Sequence, residues 1–184
     1  MSNTPPKLTT PSQLKQTIDD MVYDITAVID ACTPNQYTWT NGGTLSSIGD
    51  HIRHTIEFLI ELNNSHDTGI VDYDARKRDN TIATNQDHAK NILQEEALKL
   101  QETLKTKDLG QETITTQDSM TLKSTFGKEV ANLPSHTTHH LAVIKPLLEQ
   151  QNIQCNKDMG VAPATLKHKE SNALNVPTQQ RQIS

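Results

Sequence analysis

Aromatic side chains are scarce, with phenylalanine, tryptophan and tyrosine together making up 3 % of the chain. Hydrophobic residues as a whole reach only 33 % of the 184 positions, so any core must be drawn from a limited stretch while polar ends dilute the average. No apolar run approaches the roughly 18 residues of a membrane-spanning helix, and no membrane partner is expected. The opening MSNTPPKLTTPSQLKQ has no apolar stretch behind a basic start, so it does not read as a secretory leader. A basic excess is missing too: 17 Lys+Arg stand against 22 Asp+Glu, for a formal charge of −5. Nucleic acid is therefore not an expected partner, because phosphate contacts need a basic surface. The two cysteines, Cys32 and Cys155, form no paired motif, which excludes a zinc ribbon and argues against a disulfide scaffold. Cys32 reads as a buried hydrophobe, Cys155 as an exposed thiol, and neither as a nucleophile. A glycine-rich phosphate loop and a Gly-x-Ser-x-Gly elbow are also lacking, which removes nucleotide hydrolases and serine hydrolases of that type. The expectation is a cytoplasmic protein.

What is present is helical periodicity. The length suits one domain, read as a flexible tail over 1–10, a helical domain over 11–155 and a partly docked, extended C-terminal segment over 156–184. Leu14, Ile18, Met21, Ile25, Val28 and Ile29 recur every three or four residues, the stripe of an amphipathic helix ending near Cys32. Tyr37 and Trp39 mark the following loop as one that packs. Thr44 or Ser46 is the expected cap of a second helix, whose stripe is Leu45, Ile48, Ile52, Ile56, Leu59 and Leu62. Residues 63–84 read as a long connection containing VDYDARKRD. A third helix is expected over 85–107, with Ile92, Leu93, Leu100 and Leu104 on its apolar face. Thr alternates with Ile, Met and Leu over 111–124, the pattern of a short hairpin or irregular arm. A fourth helix follows over 126–150, with Pro134 read as restarting it and Pro146 as a kink. The fold class read from this pattern is all-α: a four-helix bundle with a long crossover between the second and third helices and an insert before the fourth.

Five of the eight histidines fall in two groups: His51 and His54 on the second helix, and His136, His139 and His140 on the fourth. His136 and His140 lie about 40° apart around a helix axis, on a stripe with Leu133, Val143 and Leu147 expected to face the core. Two imidazoles four residues apart can share one metal ion. The second helix would supply the third ligand. On a helical wheel His51 lies nearer the apolar stripe than His54, so spacing alone mildly favours His51. His139 falls to the side. Three neutral imidazoles suit Zn²⁺, Ni²⁺ or Fe²⁺, and three protein ligands leave positions open for a substrate.

The strings SSIGDHIRH (46–54), VDYDARKRD (71–79), TFGKEVANLPSHTTHHLAVI (125–144) and MGVAPATL (159–166) resemble the DinB/YfiT-like metal-binding four-helix-bundle superfamily. The resemblance spans about 11–166. It implies one divalent ion held by three histidines, at His54, His136 and His140, with His51 and His139 as alternates or groups beside the ligands. It also implies the activities of relatives, among them thiol-dependent S-transferases acting on small molecules, for which a low-molecular-weight thiol is the expected substrate. Superfamily membership bears on the metal more directly than on a reaction.

Other groups have two readings each. Tyr73 and Arg76 either reach the mouth of the site to bind an anionic substrate, or belong to a loop ordered by Asp–Arg pairs, the preferred reading. Glu57 either orients His54 or acts as a base, as His51 could, or is solvated surface, which is preferred. Three functions compete: a metal-dependent thiol transferase or hydrolase, a non-catalytic ligand-binding or dimerisation module, and a metal-free relic. A homodimer through two helices is an open expectation.

Overall fold

The structure, a computed structural model, describes residues 7–43 and 46–174. Four long helices supply most of the core: α1 (Pro11–Ala31), α3 (Ile48–Asn64), α5 (Gln86–Thr106) and α6 (Phe126–Gln150). Their starts are set by side chains. Thr10 with Gln13 and Ser47 with Asp50 form reciprocal capping boxes, and Asn85 and Thr125 each accept from the third helical N–H, satisfying donors a helix start otherwise leaves unpaired. The cap of α3 is therefore Ser47, not Ser46; Thr44 and Leu45 lie outside the described residues. A one-turn helix, α2 (Pro34–Tyr37), seats Tyr37 in the core, where its hydroxyl donates to the Ile82 carbonyl at 3.0 Å. Trp39 packs against the same core.

The fold is not all-α. Three strands, β1 (Ile70–Asp72), β2 (Glu112–Gln117) and β3 (Met120–Thr125), form a mixed sheet in the order β1-β2-β3. β1 runs parallel to β2, with Ile70 opposite Ile114, and β2 runs antiparallel to β3. The hairpin was expected as an option. The third strand was not: it is three residues long, sits inside the segment read as a connection, and gains its hydrogen bonds only from a strand beyond α5. That same connection also forms the short helix α4 (Asn80–Thr84), capped by Asp79. Gly49 lets α4 approach α3, since a Cβ there would sit 2.0 Å from the Ala83 carbonyl oxygen.

Helix α6 departs from expectation in two ways. It runs uninterrupted through Pro134 and Pro146. Each proline forfeits one backbone bond, but Val130, Leu133, Leu141, Ile144, Leu147 and Leu148 bury apolar area on both sides of the two sites, and tertiary packing rather than local propensity sustains a helix. Of the stripe read above, Leu133 and Leu147 are buried, but Val143 is exposed and the buried row runs on through Thr137, Leu141, Ile144 and Leu148. His136 and His140 thus stand at the margin of the core. The segment after α6, read as extended, contains α7 (Pro163–Leu174). It docks through Met159, which packs on the core, and through Gly160, where a Cβ would meet the Ala142 backbone at 2.4 Å.

Candidate metal centre

Helix α3 carries His51 and His54 one turn apart, and α6 carries His136 and His140 one turn apart. Because the two helices pack together, three of the four rings converge. One ring nitrogen from each of His54, His136 and His140 lies within 4.8 Å of the others. Ring centroids are 5.1 Å apart for His54–His136 and 4.6 Å for both His54–His140 and His136–His140. His51 stands beside this group, its Nδ1 3.1 Å from the Nδ1 of His140. One of those two atoms carries the proton and the other accepts it. His139 is exposed, with its ring edge-on to His140. The helical wheel favoured His51 because it ranks positions by depth, whereas these rings meet at the rim of the core.

The environment keeps the imidazoles neutral. Burial, aided by the positive Arg76, the neighbouring His136 and Arg53, pushes His54 down to about 4. Burial and then His139 and Arg76 push His136 down to about 4. Burial and the surrounding histidines push His140 down to about 3. His51 is lowered by burial as well, against the opposing pull of Asp50. Neutral rings offer the lone pairs a metal needs. The Nε2 atom of His136 is buried and has no hydrogen-bond partner, which an ion between the three rings would remedy. The three imidazoles could therefore hold a metal ion.

These depressed values have a sign. Between the ordinary histidine value of 6.5 and folded values of about 3 to 4, the unfolded chain binds more protons than the folded one, so stability rises with pH. Metal-stripped protein is expected to lose stability steadily as pH falls from 6.5 toward 4, and His136→Phe to flatten that dependence. Urea midpoints measured across this range check it; a midpoint independent of pH would contradict it.

Behind the histidines lies a polar and aromatic frame. Phe58 stacks on His136 at 4.1 Å and on Tyr73 at 4.4 Å, with the Arg76 guanidinium 4.5 Å from its ring centre. Tyr73 is fully buried and its hydroxyl donates to Glu129 at 3.1 Å, so it does not reach the mouth of the site. Arg76 donates to the Tyr73 carbonyl and stands 3.9 Å from Glu57. Glu57 is not solvated surface: it is 3 % exposed, pairs with Arg53 at 3.1 Å and accepts the Asp79 N–H at 3.1 Å. The loop is thus held through Glu57 of α3, rather than by Asp–Arg pairs within itself. Phe58 was missed by sequence reasoning; its place one turn after His54 was the available signal.

Ser46, Asp50, His51, Arg53, His54 and His140 line an open cleft of about 330 Å³. Among the described residues of the C-terminal segment, none lines it. Cys32 is buried, which pushes its thiol up to about 11, and Cys155, half-buried, is also a free thiol outside the cleft. Among the described residues, no helix is long and apolar enough to cross a membrane. No known protein family, curated protein or solved structure matches the chain.

Proposed function

We propose that the protein binds one divalent metal ion through His54, His136 and His140 and acts on a small molecule in the adjoining cleft, as the resemblance to DinB/YfiT-like proteins implies. The convergence of three neutral imidazoles on one point carries this reading. An ion with open positions supplies Lewis acidity and lowers the pKa of a water or thiol brought to it. The residues around it do the rest. His51 holds the His140 ring through its Nδ1, as outer partners of metal-ligating imidazoles commonly do. Asp50, Arg53 and Ser46 give the cleft a polar wall that favours a small polar substrate such as a low-molecular-weight thiol. Transfer of that thiol to an electrophile, or hydrolysis, is the reaction class that suits such a centre.

Elemental analysis of untagged protein tests the metal. About one zinc, nickel or iron per chain is expected, and an apo preparation incubated with Co²⁺ should develop visible d–d bands of a low-symmetry site. Protein free of metal after incubation with each ion would refute the reading and leave the histidines as a polar network. Retained metal with no turnover of thiol and electrophile mixtures would favour a non-catalytic binding module.

A further inference from the structure

The sheet has a face that is buried at one side and bare at the other. Val71, Thr115 and Leu122 stand in one row across the three strands. Val71 is fully buried, yet Leu122 on the same face is 66 % exposed and Met120 61 %. A cleft of about 660 Å³ runs along this bare portion, lined by Met120, Leu122, Ser124, Lys128 and Glu129. Among the described residues, the strand that carries these side chains, β3, is also an edge, bonded to β2 on one side only.

The direction of its free backbone groups follows from the ladder. Ile114 donates to the Gly69 carbonyl, and the Thr116 carbonyl accepts from Tyr73. Ile114 and Thr116 therefore turn toward β1, and since directions alternate, Thr113, Thr115 and Gln117 turn toward β3. Their partners Ser124, Leu122 and Met120 turn inward in reply. Thr121 and Lys123 are left with N–H and C=O groups pointing off the sheet.

We propose that this edge is occupied by β3 of a second copy of the chain, antiparallel, about a two-fold axis through Leu122. A two-fold perpendicular to a sheet keeps each side chain on its face, so the axis must pass through a residue and not between two. An axis at Lys123 would set like charges directly opposite, which is unfavourable. An axis at Thr121 would run Lys123 off the strand against Ser119 in the turn. An axis at Leu122 sets Leu122 against itself in a non-hydrogen-bonded pair, where side chains approach most closely. It sets Met120 against Ser124 and makes Thr121 and Lys123 exchange both backbone bonds twice. No like charges stand directly opposite, and each Lys123 keeps its own Glu112 partner at 3.1 Å. The result is one six-stranded sheet, ordered β1-β2-β3-β3-β2-β1, that joins the two bare apolar patches.

Sedimentation equilibrium of the full chain and cross-linking test this together. The wild-type mass should rise with concentration from 20.5 kDa toward twice that value, and Leu122→Lys should remain monomeric with an unchanged circular dichroism spectrum. In a Cys32→Ala, Cys155→Ser background, Leu122→Cys should form a covalent dimer under mild oxidation, and Lys123→Cys at most a trace. A wild type that stays monomeric at every concentration overturns the proposal. So does a dimer indifferent to Leu122→Lys, or one that cross-links as well through position 123 as through 122.

Discussion

Alanine at His136 should reduce the metal content from about one ion per chain to near zero. His54→Ala and His140→Ala should do the same, because two imidazoles in an open cleft lack the third donor that a tight divalent site requires. His51→Ala should keep the stoichiometry and weaken affinity by roughly 10–100-fold, the usual loss when an outer partner of a metal-bound imidazole is removed. Elemental analysis gives the first quantity and calorimetric titration of stripped protein gives the second. The comparison is decisive because the wheel and the structure rank the two α3 histidines oppositely. Metal retained in His54→Ala and lost in His51→Ala would move the site one turn along α3. His136→Ala also removes the ring stacked on Phe58 at 4.1 Å, so folding of that variant should be confirmed from its helical signal before its metal content is read.

Alanine at Glu57 should be among the most destabilising single changes in the chain. Its carboxylate is 3 % exposed and faces Arg53 at 3.1 Å and Arg76 at 3.9 Å, with both guanidinium side chains about 15 % exposed. Removing Glu57 leaves Arg53 with Asp50 alone, at 3.3 Å, and Arg76 with the Tyr73 carbonyl and the Phe58 ring; breaking a buried ion group in this way costs up to about 3–5 kcal/mol. Arg53 and Arg76 each already have an Nε without a hydrogen-bond partner. Glu57→Gln should cost less, since an amide oxygen can still accept from the Asp79 N–H. Urea unfolding measures both; a midpoint equal to wild type for Glu57→Ala would mean the carboxylate is not what holds the loop. The same geometry weakens Glu57 as a base: two cations and a backbone amide engage it, and it does not line the histidine cleft.

The long helices were legible because their apolar spacing is regular. All six residues of the α1 stripe are buried, as are Ile48, Ile52, Ile56, Leu59 and Leu62 of α3. His136 and His140 were legible for the same reason, their four-residue spacing. The sheet was not. A strand of three residues leaves no alternation to detect, and β1 draws its stability from β2, a non-local partner. Val143 misled because His136 and His140 lie between the buried row and solvent, so a stripe drawn through them tilts outward. Glu57 looked like surface because a lone glutamate on a helix usually is; its guanidinium partners are Arg53 of its own helix and Arg76, from a loop too far along the chain for helical spacing to reveal.

The pairing of Ile70 with Ile114 also sets an order of assembly. Strand β1 cannot persist alone, and its partner is synthesised only after α4 and α5. Loop-closure entropy must be met before such a contact gives anything back. The segment from Asp72 to Asp79, which brings Arg76 against Phe58, is tied at one end to this late pairing and at the other to Glu57. Helix α6, which carries His136 and His140, lies beyond β2 in the chain, so the histidine cluster and the wall behind it both wait for the last third of the domain.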